Sequence, residues 1–162
     1  MSKEKTNELY VAIATQKGGI GKSTVTMLLA NYLHNLGGKN VGVVDCDDPQ
    51  HSISDARERE LLLIKNNEAD KEVAKDVFRK TGKRIFPIVA TNPVDAIAQA
   101  EILIEDENLD IVLFDLPGTI RSKGVLSTLS QMDYIFVPIS ADRLVLESAL
   151  QFVANFKDNL MP

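Results

Sequence analysis

A glycine-rich segment between an apolar run and an amphipathic stretch constrains the fold of this chain more than any other feature. The segment, TQKGGIGKST at residues 15–24, has glycines at positions 18, 19 and 21. Residues 9–15, LYVAIAT, are typical of a buried strand, and the residues after the glycines have apolar side chains at helical spacing. A glycine-rich turn between a strand and a helix N-terminus points backbone N–H groups at a bound phosphate. The segment therefore predicts a nucleotide-binding loop.

The second half of this loop matches the usual phosphate-binding pattern G-x-x-x-x-G-K-[ST]. Gly21, Lys22 and Ser23 fit the pattern, whereas Gln16 stands where the first glycine is expected. We expect Lys22 to contact the β- and γ-phosphates, Ser23 to ligate Mg²⁺ through its hydroxyl, and Thr24 to hold the α-phosphate. The backbone N–H groups of the loop come from Gly18, Gly19, Ile20 and Gly21. The alternative, a flexible turn that happens to contain lysines, does not explain why the pattern follows a strand.

The rest of the chain alternates short apolar runs with longer amphipathic stretches, which is typical of a parallel sheet with crossover helices. Strands are predicted at 9–15, 40–45, 84–90, 110–115 and 134–140. Helices are predicted after Gly21, twice between 52 and 82 with a break near KNNEAD, at 93–104 and at 143–160. We therefore expect one α/β domain over residues 1–162, a P-loop NTPase fold with a twisted, mainly parallel sheet and helices on both faces.

The composition is ordinary for a globular protein, and several classes of protein can be excluded because their typical features are missing from it. Hydrophobic residues make up 44% of the chain, charged residues 25%, and the formal net charge is −5. The overall charge gives no reason to expect nucleic-acid binding, and a single cysteine, Cys46, excludes an internal disulfide. No signal peptide is visible, and no apolar run approaches the roughly 20 residues of a membrane span. We expect a cytoplasmic protein.

Acidic residues follow two of the predicted strands. Asp45 ends the predicted strand 40–45 and is followed by Asp47 and Asp48, and Asp115 ends the hydrophobic strand DIVLFD. Because the carboxyl ends of parallel strands face the ligand crevice, these side chains are expected near the triphosphate, where they ligate Mg²⁺ or orient a water molecule. The alternative for the first group is an Asp-rich turn, and for Asp115 a strand-end acid without a ligand.

The DLPG sequence at 115–118 also has the D-x-x-G form found in GTPases. A GTPase needs an N-K-x-D element later in the chain to recognise guanine. The nearest match, NPVD at 92–95, lacks the lysine and precedes Asp115. The sequence therefore favours ATP over GTP.

The loop KGGIGKST resembles the deviant Walker A motif of the ParA/MinD superfamily, in which an extra lysine precedes the glycine pair. The resemblance implies that Lys17 reaches across a dimer interface to the nucleotide of the partner subunit, although a lysine that serves its own subunit is not excluded by the sequence. DCDDPQ resembles the superfamily's D-x-D-P-Q segment with one extra residue. If the two segments are aligned on D-x-D, Asp47 corresponds to the superfamily's catalytic aspartate. If they are aligned on the following Pro49, Asp48 corresponds to it. We prefer the first alignment and therefore Asp47.

The resemblance implies an ATPase that dimerises when ATP is bound and hydrolyses ATP slowly under stimulation by a partner. The implied cofactors are ATP and Mg²⁺. The implied catalytic residues are Lys17, Lys22 and Asp47. The implied nucleotide-binding residues are 17–24. The implied metal ligands are Ser23, Asp47 and Asp115. The chain is most similar to ParA-type partition ATPases, and DCDDPQHS is reminiscent of ParA-like proteins of conjugative elements.

The implied partners are a second copy of the chain and a ParB-like or conjugation protein. Relatives continue beyond the position of Pro162 with adenine-contacting and DNA-binding residues, so we expect this chain to lack that part of the fold, and DNA binding cannot be read from it. One alternative is a nucleotide-binding regulatory scaffold with negligible turnover. Another is a MinD-like positioning ATPase, but residues 143–160 have few cations, so we expect a packing helix and no membrane partner.

Three other features have plainer interpretations. The basic stretch 71–84 is expected to be a solvated face with cations near a helix C-terminus, although a binding patch is the alternative. His34 is expected to be a surface or partly packed helix residue and His51 a loop residue. Nearby anions are expected to raise the pKa of Cys46 and so make it a poor thiolate.

Overall fold

The computed structural model describes residues 8–16 and 19–160, with the side chains of all of these except 159 and 160. Within these residues the chain forms five strands and six helices. The strands are β1 (Leu9–Ile13), β2 (Val41–Asp45), β3 (Ile88–Ala90), β4 (Ile111–Asp115) and β5 (Tyr134–Phe136). The helices are α1 (Lys22–Asn35), α2 (Ser52–Asn66), α3 (Glu68–Thr81), α4 (Ala96–Glu107), α5 (Val125–Leu129) and α6 (Arg143–Leu160).

The strands form one sheet in the order β3-β2-β4-β1-β5, and every neighbouring pair is parallel. In the register of the sheet, Asp115 at the end of β4 is aligned with Ile13 of β1 on one side and with Asp45 of β2 on the other. The loops that follow β1, β2 and β4 therefore leave the sheet side by side, at the edge where ligands bind in folds of this kind.

Alternate residues of the central strands pack into two separate cores, one on each face. Val43 and Leu113 lie in the core shared with α1 and α2, whereas Val44 and Phe114 lie in the core shared with α4, α5 and α6. All five residues of β2 and of β4 are buried, as expected for parallel strands that helices cover on both faces. The predicted fold class is confirmed.

All five strands are shorter than the sequence pattern indicates, and the difference is largest for the third and fifth. The third strand, expected at 84–90, is reduced to Ile88–Ala90, and the fifth, expected at 134–140, to Tyr134–Phe136. Pro87 directly precedes the third strand and Pro138 lies two residues after the fifth, and proline has no N–H with which to extend a ladder. Helix α5 was not predicted, because five residues are too few to show a helical period.

The helical break near KNNEAD is confirmed, and residues 143–160 form the predicted helix, one side of which packs on the sheet while Leu144, Leu150 and Val153 are exposed. Asn67 has an extended backbone between α2 and α3, and its side chain accepts a hydrogen bond from the Ala69 N–H at 2.9 Å. In α6, Val145, Ala149 and Phe152 are buried. Among the helices that the structure describes, none is long and apolar enough to cross a membrane.

Candidate functional site: a nucleotide-binding loop

The loop after β1 leads directly into the N-terminus of α1. Gly19 and Gly21 have φ angles of 77° and 83°, in the left-handed region that favours glycine. Gly21 precedes the first residue of α1 without a side-chain cap, and the first turn contains no acidic residue. The first N–H groups of α1 therefore have no capping side chain and lie at the positive end of the helix dipole, which is an arrangement suited to binding phosphate.

The structure places the predicted residues of this loop at different depths. Lys22 is buried, Ile20 and Ser23 are half-buried, and Gly19 and Thr24 are exposed. Lys22 is close enough to Asp115 to lower the pKa of that carboxyl group. Lys17 and Gly18 lie outside the described residues, so their predicted roles stay predictions.

Ser23 links the first turn of α1 to the end of β4. Its Oγ donates a hydrogen bond to Oδ2 of Asp115 at 2.5 Å. The buried Thr26 donates from Oγ1 to the Lys22 carbonyl at 3.0 Å, and the same hydroxyl lies 3.5 Å from Oδ1 of Asp115. Sequence reasoning missed Thr26, whose one available signal was its position a single helical turn after Lys22. The two hydroxyls fix the orientation of the Asp115 carboxyl group.

Asp115 is a buried carboxyl group with incomplete charge compensation. Burial is the main reason that its pKa rises from 3.8 to about 6, and the nearby Asp45 and Asp47 add to the rise. The Ser23 hydrogen bond and Lys22 act in the opposite direction. A divalent cation at this position would stabilise the ionised form.

The oxygen donors at this edge fit Mg²⁺. Ser23 and Asp115 offer a hydroxyl and a carboxylate in contact with each other, and Asp47 is a further carboxylate nearby. Mg²⁺ prefers oxygen ligands and commonly takes one or two from the protein, the others coming from phosphates and water. No group of three His, Cys, Asp or Glu within residues 8–16 and 19–160 is placed to hold a metal without such help. The donors present are therefore suited to a metal bound together with a nucleotide.

Asp45 has a structural role that the sequence did not distinguish from those of its neighbours. Its side chain is completely buried. Oδ2 accepts a hydrogen bond from the Ser54 N–H at 2.9 Å, and Oδ1 accepts one from the Asp47 N–H at 3.4 Å. Asp45 thus joins the end of β2 to the first turn of α2 and holds the intervening loop.

The structure separates the two candidates for the catalytic aspartate. Asp47 is half-buried and close enough to raise the pKa of both Asp115 and Cys46. The Asp48 side chain is 59% exposed, lies 3.4 Å from Nε2 of His51, and is not among the groups that shift the pKa of Asp115. Asp47, the residue preferred from the D-x-D spacing, is therefore the one of the two that lies near Asp115, and its catalytic role stays a prediction.

Cys46 is completely buried between Asp45 and Asp47. Its pKa is raised, as expected, but burial is the largest cause and the neighbouring carboxylates Asp45, Asp115 and Asp47 add to it. Its backbone N–H donates to the Asp115 carbonyl at 2.9 Å. Cys46 therefore packs at the joint between β2 and β4, and its thiol is a poor nucleophile.

The sheet order, the uncapped helix N-terminus and the Ser23–Asp115 contact define a nucleotide-binding domain of the P-loop class. The chain belongs to the CobQ/CobB/MinD/ParA nucleotide-binding domain family, whose model matches residues 11–161. The family membership expected from KGGIGKST is thereby confirmed.

The chain is also similar to individual partition proteins. It is 28% identical over 157 residues to the chromosome-partitioning ATPase Soj of Thermus thermophilus, in a match that covers 91% of this chain and 61% of Soj. A plasmid partition protein of Borrelia burgdorferi B31, solved with AMPPNP, has a TM-score of 0.59 and 21% identity, covering 96% of this chain and 72% of that one. The pNOB8 ParA structure bound to nonspecific DNA has a TM-score of 0.62 and 18% identity, covering 96% and 62%. At these identities the two structures show the fold alone, and the chain spans about three fifths of the length of Soj.

We expect Asp115→Asn to remove most of the benefit that Mg²⁺ gives to ATP binding. The amide keeps the size of the side chain and can still accept the Ser23 hydrogen bond, but it has no charge for the cation. The gain in affinity for a fluorescent ATP analogue on adding Mg²⁺ should fall by about ten-fold or more. Binding is measured with Mg²⁺ and with EDTA.

The matched control is Asp110→Asn, at the opposite end of the same strand, where the carboxylate accepts the Asn40 N–H at 2.7 Å. This variant should show the full Mg²⁺ effect. An unchanged Mg²⁺ effect in Asp115→Asn would show that this carboxylate does not serve the metal.

Proposed function

We propose that the protein is a ParA-type ATPase that dimerises with ATP bound and returns to the monomer after slow hydrolysis. The observation that supports the nucleotide-binding part of this proposal most directly is the Ser23–Asp115 hydrogen bond beside the buried Lys22, at a helix N-terminus with no cap of its own. This arrangement places a cation, a hydroxyl and a carboxylate where the phosphates of a nucleotide meet Mg²⁺ in P-loop proteins.

Each residue of the site has a distinct role in this proposal. The N–H groups of residues 18–24 and the Lys22 ammonium bind the phosphates, and Ser23, Asp115 and Asp47 hold Mg²⁺. Asp47 also orients the attacking water, and Lys17 contacts the nucleotide of the partner subunit. Mg²⁺, when bound, neutralises charge on the phosphates. The protein contributes mainly positioning and electrostatic stabilisation, as phosphoryl transfer requires.

The names of the relatives support a role in moving DNA. Soj is a chromosome-partitioning ATPase, and a ParA structure was solved on nonspecific DNA. We propose that this protein acts in plasmid or chromosome partitioning or in DNA transfer. Its partners in that role would be a second copy of itself, DNA, and a ParB-like or conjugation protein.

We expect Asp47→Ala to slow phosphate release by about a hundred-fold and to weaken Mg²⁺-ATP binding much less, because Ser23, Asp115 and the phosphates remain to hold the metal. Positioning of the water affects only the chemical step, and loss of such a group typically costs two to four orders of magnitude, roughly 10²–10⁴. Steady-state phosphate release and equilibrium ATP binding measure the two effects. The neighbouring Asp48→Ala is the matched control and should hydrolyse ATP like the unchanged protein.

Other outcomes would correct specific parts of the proposal. If Asp48→Ala were slow and Asp47→Ala normal, the assignment across the extra residue would be wrong. If neither variant were slow, the loop after β2 would have no part in hydrolysis. Negligible turnover of the unchanged protein, with DNA and candidate partners present, would favour the nucleotide-binding scaffold.

The two lysines of the loop should have separable effects. Lys22→Ala should abolish nucleotide binding, because the phosphates lose the main cation of their own subunit. Lys17→Ala should still bind ATP as a monomer but fail to form the ATP-dependent dimer, as measured by sedimentation. Its turnover should also collapse, because a cation supplied in trans is worth roughly 10³–10⁵ in rate.

Mixing Lys17→Ala with Asp47→Ala tests whether Lys17 acts in trans. In a mixed dimer, one site combines an intact Asp47 with Lys17 from the other chain, so activity should return. Normal dimerisation of Lys17→Ala, together with no recovery in the mixture, would mean that Lys17 serves its own subunit.

A further inference from the structure

A groove of about 1080 Å³ lies between α1, α2, α3 and the segment 83–86. It reaches α1 at Asn31, His34 and Asn35, in the second half of that helix, whereas the nucleotide loop precedes its first turn. The groove and the nucleotide site are therefore separate features of the domain.

Helix α3 contributes an apolar face to this groove that the rest of the domain leaves uncovered. Val73, Ala74, Val77 and Phe78 line the groove, and their i, i+4 spacing places them on one side of the helix. Val73 is 62% and Phe78 51% exposed, and no residue of α3 is buried. An amphipathic helix whose apolar side faces solvent is typical of a surface that binds another protein.

The floor and opposite wall of the groove are also largely apolar but rigidly held. Phe86 is buried, its ring lies 4.6 Å below the Arg57 guanidinium carbon, and its carbonyl accepts a hydrogen bond from Arg57 Nη1 at 2.7 Å. His34 is buried rather than at the surface, with Nε2 donating to the Arg84 carbonyl at 2.8 Å and its ring 5.5 Å from that of Phe86. The groove therefore has a preformed shape.

The rim of the groove has the opposite charge to the chain as a whole. Seven Lys or Arg residues line it against two acids, Glu60 and Asp70, although the chain has a net charge of −5. Four of these cations pair with carboxylates of their own helix: Arg57, Lys71, Lys75 and Arg79. Arg59, Lys83 and Arg84 have no carboxylate within ion-pair distance in the part of the chain that the structure describes, and the Lys83 ammonium donates one hydrogen bond, to the Lys39 carbonyl at 2.6 Å. The rim thus favours an acidic occupant.

The backbone next to the groove is not arranged to accept an added strand. The carbonyls of Arg84 and Phe86 already accept side-chain hydrogen bonds, the Pro87 carbonyl accepts the Val43 N–H, and Pro87 has no N–H to donate. Side chains of three helices form the walls. An occupant that uses its own side chains, as a helix laid in a groove does, fits these walls better than a strand.

We propose that this groove is the docking site for an amphipathic helix of a partner protein, with an apolar face flanked by Asp or Glu. The apolar residues of the helix pack against Val73, Val77 and Phe78, and its acidic flanks lie beside Arg59, Lys83 and Arg84. This inference goes beyond the ATPase function and stands whether or not the protein hydrolyses ATP.

The test uses two labelled peptides of about 18 residues, or about 27 Å of helix. Both have the same leucines at i, i+3, i+4 and i+7 spacing, and the flanking positions are all Glu in one and all Lys in the other. Fluorescence anisotropy with the whole protein should show the Glu peptide binding at least about ten-fold more tightly, with an affinity that falls as salt is added. Failure of both peptides to bind, or equal binding of the two, would overturn the proposal.

Matched variants locate the binding. Phe78→Asp should weaken the Glu peptide by about ten-fold or more, whereas Leu62→Asp, on an exposed residue outside the groove, should not. Arg59→Glu should weaken binding of the Glu peptide, and Lys65→Glu, elsewhere on α2, should weaken it much less. Because all four side chains are exposed, the fold should survive each change, as circular dichroism would confirm. Equal effects of variants and controls, or self-association that Phe78→Asp abolishes, would contradict a partner helix at this site.

Discussion

The hydrogen bond from Ser23 to Asp115 joins two elements that lie 92 residues apart in the chain, and the geometry of the nucleotide site depends on this joint. It exists because β1 and β4 are neighbours in parallel register, so that the loop entering α1 leaves the sheet beside the end of β4. Thr26 and the Cys46 N–H hold the same strand end from two other directions. The site is therefore a consequence of sheet order as much as of the glycine loop.

The same edge combines charges that would be unfavourable without a ligand. Asp45, Asp47 and Asp115 lie close together, with the buried Lys22 as the nearby cation, and the pKa of Asp115 rises to about 6 as a result of burial and of its acidic neighbours. The fold accommodates these carboxylates because both oxygens of Asp45 accept hydrogen bonds from backbone N–H groups of the residues that follow β2. A bound metal ion would compensate the negative charge of the carboxylates, and the phosphates of a bound nucleotide would compensate the positive charge of Lys22 and of the metal. Clustered, incompletely compensated charge of this kind is characteristic of functional sites.

The sequence predicted the features that depend on local pattern. The strand, loop and helix around Gly21, the strand ending at Asp115, and the break at Asn67 all follow from turn chemistry and hydrophobic spacing. Features that depend on neighbours distant in the chain were missed or misjudged. Asp45 looked like its acidic neighbours until its contact with Ser54 distinguished it, His34 gave no sign of burial, and the apolar face of α3 was hidden in a stretch that is mostly charged. Asp47 and Asp48 differ in exposure, which no spacing rule reveals.

Binding of nucleotide phosphates at the N-terminus of α1 beside Asp115 can be followed directly through the backbone amide resonances while Mg²⁺-ATP is added. We predict the largest shifts at residues 19–24, with further shifts at 45–48 and at Asp115, and small ones at Phe78 and Arg84 in the groove. Shifts centred on the groove, or the absence of any change at residues 19–24 at saturating nucleotide, would contradict this prediction.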